Sequence, residues 1–393
     1  MRDKTGPMLY LVYFIYFFCG LTQCFEGVFL PEFKAYFHLN YQQQMYTMFA
    51  KNIPFLLAVG IGYLIRYIGY KNCMTAAMAL FAGGTFVLVP GLRSGRYDIV
   101  LLGFFFIGLG FNAEIVAGNP MLTALGPPRD ASSRLNLGNA LGAVAQIIAP
   151  ATLSFIIPAA VVTVTGKLPY MEGLFLVLGA VLAVVAGMTL LSRNTDIAGS
   201  FEKAASPARS MWSHPRLMLG FVSIFLILGV EAGLFGFYRN FLEDPSIAGL
   251  TAHQSQRMFT VYFAVFALGR LAASWVQTRI LPTTHLVFNT LGAMVCLAIA
   301  ILAKGMIAVA AITAIGFFIS ILFPTLYALA IENMDDLTGQ ASGLLVMGFV
   351  GCALIPVLQG KIADSIGLQL SYVVGFAAYL FAGFYALGMS RRA

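Results

Sequence analysis

The sequence predicts an all-α membrane protein of about twelve transmembrane helices. Three observations carry this. Of 393 residues, 60% are hydrophobic and only 10% are charged, whereas a soluble domain carries about 25% charged residues. The apolar residues fall in runs of the ~20 residues that a helix needs to cross the hydrocarbon core. Glycine and proline turn signals separate the runs. A water-soluble core cannot use so much apolar surface; the bilayer is the solvent that can. The mean hydropathy of +0.86 agrees.

In chain order the spans are read at 8–33, 42–66, 72–92, 97–125, 134–160, 169–192, 216–242, 252–278, 284–303, 306–332, 340–362 and 367–390. The first begins near Met8; its apolar run is too long for a signal peptide and has no small-residue cleavage site. The second contains Lys51 and Pro54 and ends before Gly69. The third runs to Gly95. The fourth carries Asn112 and Glu114 and stops at Gly126-Pro127-Pro128. In the fifth, Gly138 and Gly142 make a small-xxx-small face for close helix contact. The sixth follows Gly166. Pro215 opens the seventh, and Asp244-Pro245 closes it. The eighth and ninth meet at Pro282, the ninth and tenth at Gly305, the tenth and eleventh at Gly339, and Gly367 opens the twelfth. Pro54, Pro150, Pro324 and Pro356 are expected to kink their helices.

One longer polar segment, Ser192 to Pro215, interrupts this rhythm. It divides the chain into an N-terminal six-helix bundle over 1–192, a cytoplasmic linker over 193–215 and a C-terminal six-helix bundle over 216–393. Two parallel repeats of this kind are a transporter layout. With the N-terminus inside, the inner loops hold Arg2, Lys4, Arg66, Lys71, Arg129, Arg134, Arg193, Lys203, Arg209, Arg216, Arg270, Arg279, Arg391 and Arg392. The outer loops hold Lys34, Arg93, Arg96, Lys167, Arg239, Arg257, Lys304 and Lys361. Fourteen against eight places both termini and the linker in the cytoplasm of a bacterial-type inner membrane. The linker's basic residues can also touch anionic headgroups.

The same count explains the net charge of +7 without nucleic acid. Cys19, Cys24, Cys73, Cys296 and Cys352 have neither metal spacing nor a CxxC partner and read as packing residues. No zinc pair, phosphate loop or nucleophile elbow is present, so no enzyme, metal site or organic cofactor is expected. A monomer in contact with membrane lipid is expected.

Three stretches are more specific. The first is Leu30-Pro31-Glu32-Phe33 with Leu39-Asn40-Tyr41. The second is Gly118-Asn119-Pro120, Leu125-Gly126-Pro127-Pro128 and Ala131-Ser132-Ser133-Arg134-Leu135-Asn136-Leu137. The third is Ser320-Ile321-Leu322-Phe323-Pro324-Thr325-Leu326-Tyr327, followed by Gly339, Gly343, Met347, Pro356 and Ala363-Asp364. Together they resemble the fucose/galactose/glucose-type branch of the major facilitator superfamily, the sugar–proton symporters. The segment from Gly62 to Lys71 is a weaker match to that superfamily's Gly-x-x-x-Asp-Arg-x-Gly-Arg-Arg loop, with Arg66 and Tyr67 where Asp and Arg would stand. The resemblance implies two six-helix bundles, alternating access, a hexose-like substrate and a proton as coupling ion. It also implies acids at two places where this chain differs. An Asp four residues before the proline of span 1 is here Gly27, with Glu26 next to it. A Glu four residues before the asparagine of Asn-Pro is here Ile115, with Glu114 next to it. One residue is about 100° around a helix. In span 5, Asn139 and Gly142 replace a Gln and an Asn. In span 7, Gly229-Val230-Glu231 resembles the Gly-x-Glu of glucose/galactose-type members.

Glu26, Lys51, Glu114 and Glu231 lie inside predicted spans. A charge at the bilayer centre costs about 2.5–3.5 kcal/mol even on the mildest scale, so these residues should face a wet cavity or one another. Glu26 and Glu114 are the proton-coupling candidates, each with a hydrogen-bonded structural acid as the plainer reading. Gln23, Glu26, Lys51, Asn112, Glu114, Asn119, Asn139 and Glu231 are the polar substrate-binding candidates. Phe235 and Tyr238, at i+4 and i+7 from Glu231, share its face; either stacks on a sugar ring or packs. Lys51 has three readings: it pairs with Glu26 or Glu114, it binds an anionic substrate, or it snorkels to the interface. Arg129, Asp130 and Arg134 are expected to form a cytoplasmic charge cluster, with Glu332, Asp335 and Asp336 as counterpart.

The leading reading is a proton-coupled importer of a sugar or sugar-like solute. The alternative is a carrier of the same fold for an anionic metabolite, a siderophore-like compound or a drug, with export as its direction in some versions. A receptor or membrane enzyme is the third class, and no catalytic constellation supports it.

Overall fold

A computed structural model describes residues 6–127, 130–158, 161, 163–192, 214–277, 279–332, 334 and 338–390. Among the described residues every element is helical: α1 (Gly6–Tyr36), α2 (Tyr41–Gln44), α3 (Tyr46–Asn52), α4 (Ala58–Arg93), α5 (Tyr97–Ala124), α6 (Ala131–Ile156), α7 (Val164–Leu191), α8 (Pro215–Glu243), α9 (Ala252–Val276), α10 (Pro282–Leu302), α11 (Gly305–Ile319), α12 (Leu322–Ile331), α13 (Thr338–Val346), α14 (Gly351–Ile366), α15 (Leu368–Ser371) and α16 (Val374–Ser390).

The breaks follow from backbone chemistry. Pro54 lacks an N–H, and the chain tightens into a 3-10 turn over Ile53–Leu57 between α3 and α4. Gly69 has φ +79° inside α4, which bends that helix into the expected second and third spans. Ser320 and Ile321 separate α11 from α12, and a second 3-10 turn, Met347–Val350, separates α13 from α14. Nine stretches among the described residues are long and apolar enough to cross a membrane, one of them the bent 41–93 segment. Within α6 the described apolar stretch is Leu137–Leu153, and α9 carries His253, Gln254, Arg257 and Arg270 among its apolar residues.

The chain forms two compact units, Met1–Glu26 with Ala50–Ala205, and Gly27–Phe49 with Ser206–Ala393. The Ser192–Pro215 linker was read as the midpoint; its residues 193–213 lie outside the described residues, as do Arg2, Lys4, Arg129, Asp335, Asp336, Arg391 and Arg392. Segment 27–49, the end of α1 through most of α3, groups with the C-terminal helices.

In the first unit, glycines let backbones touch. A side chain on Gly20 of α1 would collide with the backbone of Gly142 on α6, and one on Gly108 of α5 with the backbone of Lys51 on α3. Arg134 was expected in a loop charge cluster. Its guanidinium instead donates to the carbonyls of Leu122 at 2.8 Å, Thr123 at 2.6 Å and Pro127 at 2.9 Å. These are the carbonyls that the end of α5 leaves without helical partners. Gly126 is required there twice over: its φ is +131°, and a Cβ would sit 3.0 Å from the Arg134 Nη1. The Gly-Pro-Pro…Arg motif is therefore a helix terminus with its cap.

In the second unit, two distant motifs meet. Asn40 and Gln43 form a capping box at the start of α2. The Asp364 carboxylate, from α14, accepts from the backbone N–H groups of Tyr41 at 2.8 Å and Gln42 at 3.0 Å. All three leading N–H groups of α2 are thus satisfied, and the acid complements the positive end of the helix. One turn further, Gln44 donates to Asn240 of α8 at 2.8 Å.

Candidate functional site

Each unit carries its own cluster of buried polar groups. In the first, the carboxylate of Glu26 is paired with the Lys51 ammonium, and the two side chains are 1% and 8% exposed. The local reason is geometric. Gly108 brings α5 against the Lys51 backbone, and Asn112, one turn along α5, donates to the Pro54 carbonyl at 2.7 Å. That bond ties α5 to the 3-10 turn. The backbone of Lys51 is fixed, and its side chain reaches α1. Glu114 lies on another face of α5, 2% exposed. One carboxyl oxygen of Glu26, one of Glu114 and the amide oxygen of Asn112 have no hydrogen-bond partner among the described residues. Three unfilled acceptors and one cation make this wall hungry for protons or hydroxyl donors. Leaving a full charge on an unpaired buried carboxylate is expensive, and binding a proton removes that expense.

In the second unit the corresponding acid is Glu231 on α8, half-buried and with no hydrogen bond or ion pair among the described residues. Above it runs an aromatic ladder. The Phe235 ring lies tilted 5.3 Å from Phe259 and edge-on 5.8 Å from Phe263. Tyr238 lies 5.4 Å from Phe259 and 5.0 Å from Tyr262. Phe235 also occupies the space beside Gly27, which no other residue could leave open. The place where the family pattern puts an acid is therefore filled by an aromatic ring.

The second unit also holds an ion network that the sequence hid. Arg239 of α8, 3% exposed, grips Glu32 through both terminal nitrogens at 2.8 Å and 3.1 Å. It also binds Glu243 at 2.6 Å and the Val28 carbonyl, and Ser255 donates to Glu243. The fork geometry of guanidinium suits two carboxylates at once. The Glu32 of the Leu-Pro-Glu-Phe motif is thus an anchor for the end of α1.

The sequence profile of the Major Facilitator Superfamily matches residues 12–356. The chain belongs to the major facilitator superfamily. It is 30% identical over 391 residues to a glucose/galactose transporter of Brucella abortus biovar 1 (strain 9-941), covering 98% of this chain and 95% of that protein. It is 24% identical over 402 residues to the L-fucose-proton symporter of Escherichia coli (strain K12), covering 93% and 90%. The crystal structure of the Escherichia coli fucose:proton symporter superposes with a TM-score of 0.70 at 21% identity, covering 98% of this chain and 99% of that one. A bacterial homologue of the human lysosomal transporter Spinster superposes with a TM-score of 0.73 at 15% identity, covering 100% and 98%. This chain is a multi-pass membrane transporter and not an enzyme.

Within that major facilitator fold, the sequence-derived candidates separate. Glu26, Lys51, Asn112 and Glu114 fall in the first unit, all buried. Lys51 pairs with Glu26, which removes the snorkelling reading and the pairing with Glu114. Asn119 accepts from the Tyr16 hydroxyl at 2.6 Å. Gln23 is half-buried, whereas Asn139 is exposed and its amide bonds the Leu135 carbonyl of its own helix. In the second unit Phe235 keeps some exposure beside Glu231. Tyr238 keeps none: its hydroxyl bonds Thr313 at 2.6 Å, so it packs and does not present a face. Glu332 pairs with Arg216. Two cations were misplaced by loop counting. Arg239 was read as an outer-loop residue and is buried in α8; Arg270 was read as an inner-loop residue and lies within α9, its side chain exposed. A signal for Arg239 was present: Glu243 stands four residues on, an i,i+4 pair facing the same way.

Proposed function

We propose that this chain is a proton-coupled importer of a sugar or sugar-like solute, working by alternating access between bundles 1–192 and 216–393. The observation that carries it is the set of buried acids in the first unit: a Glu26–Lys51 pair and, separately, an unpaired, enclosed Glu114. Glu114 takes up and releases the coupling proton. Glu26 contributes by exchange: when a proton or a substrate hydroxyl satisfies it, Lys51 is released. The activities for which the relatives are named, glucose/galactose transport and L-fucose–proton symport, point the same way. An anionic cargo loses its motive, because the cation that would hold it is already matched by a carboxylate. The charge distribution supports cytoplasmic termini in a bacterial-type inner membrane.

A thermal-shift panel tests the substrate class, since a ligand that binds the native state stabilises it. D-glucose, D-galactose or L-fucose is expected to raise the melting temperature, and sugar acids and cationic drugs are expected to leave it unchanged. Stabilisation by the acids or drugs alone would overturn the reading.

A further inference from the structure

Glu231 and Arg270 are opposite charges that occupy one level of the second unit without touching. The packing of α8 on α9 sets that level. Tyr238 meets Phe259 and Tyr262, and Phe235 meets Phe259 and Phe263, so the two helices run antiparallel with a known register. One turn further along α8 is Glu231. One to two turns further along α9 are Phe266 and Arg270. The carboxylate and guanidinium therefore lie within each other's field, yet they form no ion pair within 4.0 Å.

Arg270 is held where it is. Its Nε donates to the Ser320 carbonyl at 3.2 Å, and its guanidinium lies 4.8 Å from the centre of the Phe266 ring. The close approach of Gly269 to the Phe317 carbonyl fixes the backbone beneath it. These contacts use one edge and one face of the fork and leave its outer N–H groups unassigned. A third group faces the same place from α16. The Tyr379 hydroxyl, on a side chain 1% exposed, has no hydrogen-bond partner among the described residues and interacts electrostatically with Glu231. Arg270 and Tyr379 thus lie within electrostatic reach of Glu231, and among the described residues no hydrogen bond or ion pair joins the three.

We propose that Glu231 and Arg270 are a hydroxyl-recognition slot. Two neighbouring hydroxyls of one substrate bridge them, one donating to the Glu231 carboxylate and one accepting from the Arg270 guanidinium. The chemistry selects a class. A hydroxyl is both donor and acceptor, so a vicinal diol completes both charged groups at once. A vicinal diol fills both positions without bringing a further charge into the site, so the slot takes a neutral polyhydroxyl compound. This inference rests on the sugar-carrier reading and names the specificity-determining pair within it.

The test is competition of D-galactose and each of its monodeoxy analogues against labelled D-galactose in exchange across proteoliposomes holding the full chain. Wild type, Glu231→Gln and Arg270→Lys are compared. Wild type is expected to weaken by roughly tenfold or more for the two analogues lacking adjacent hydroxyls, the size of one hydrogen bond to a charged group. Each variant is expected to erase that discrimination for one of the two hydroxyls and to keep the wild-type ranking elsewhere. Variants that keep the full wild-type ranking, or that weaken every analogue equally, overturn the slot while leaving sugar transport standing. Wild type that exchanges neither D-galactose, D-glucose nor L-fucose overturns the carrier reading and the slot with it. Where Arg270→Lys does not elute as a folded monodisperse species, the isosteric Glu231→Gln decides alone.

Discussion

Replacing Lys51 with methionine removes the cation that neutralises Glu26 and keeps a side chain of similar length. Both residues are almost wholly enclosed, so the remaining carboxylate has no water to turn to. Breaking a buried pair from one side costs about 3–5 kcal/mol, whereas replacing both partners with uncharged groups is often nearly neutral. Glu26→Gln alone leaves the ammonium unpaired and is expected to cost a similar amount. The double variant Glu26→Gln/Lys51→Met is expected to recover most of the loss, so two singles of at least about 3 kcal/mol each and a near-neutral double give a coupling of about 6 kcal/mol or more in the cycle, above the usual range for contacting residues. Temperature-ramped size exclusion of the detergent-purified protein reads it: two single variants melting well below wild type and a double variant close to it. A double variant that melts as low as the sum of the singles would show that the two side chains act independently, and the exchange role of Lys51 would go with it.

Other expectations follow from the same geometry. Arg239→Ala strands Glu32 and Glu243 and is expected to destabilise by about 3–5 kcal/mol, read as a large drop in melting temperature; an unchanged melt refutes the anchor. Gly126→Ala forces a side chain onto φ +131° and against Arg134, at about 1–3 kcal/mol of backbone strain, and Arg134→Ala is expected to be similarly harmful by uncapping α5. Asp364→Asn weakens the cap of α2 by about 1 kcal/mol, seen as faster amide exchange at Tyr41 and Gln42 and not elsewhere. Glu114→Gln is expected to keep sugar exchange at equal concentrations on both sides while losing uptake driven by a pH gradient.

The fold was legible because the bilayer imposes its thickness on the sequence: Gly69 and Pro54 stood where the helices turn or break, and Pro324 lies in the first turn of α12, just past the Ser320–Ile321 break. The acids of the first unit were legible for a related reason. Glu26, Lys51 and Glu114 are conspicuous in apolar runs, though only packing says that Lys51 reaches Glu26 and not Glu114. Arg239 and Arg270 were illegible because they lie near span ends. A charge there reads as a loop residue, and hydropathy does not tell whether the side chain turns to water or inward. The motif residues Glu32, Asp364, Gly126 and Arg134 carried the family resemblance, and the structure uses them for caps and anchors. These structural uses of the motif residues are why kinship was easier to read than substrate.

The most direct test of the central claim is uptake of labelled D-glucose, D-galactose and L-fucose into proteoliposomes under an imposed pH gradient, acidic outside. The account predicts transient accumulation of at least one sugar above its external concentration, abolished by a protonophore and reduced to slow equilibration in Glu114→Gln. Accumulation that ignores the gradient, or that persists in Glu114→Gln, would contradict it.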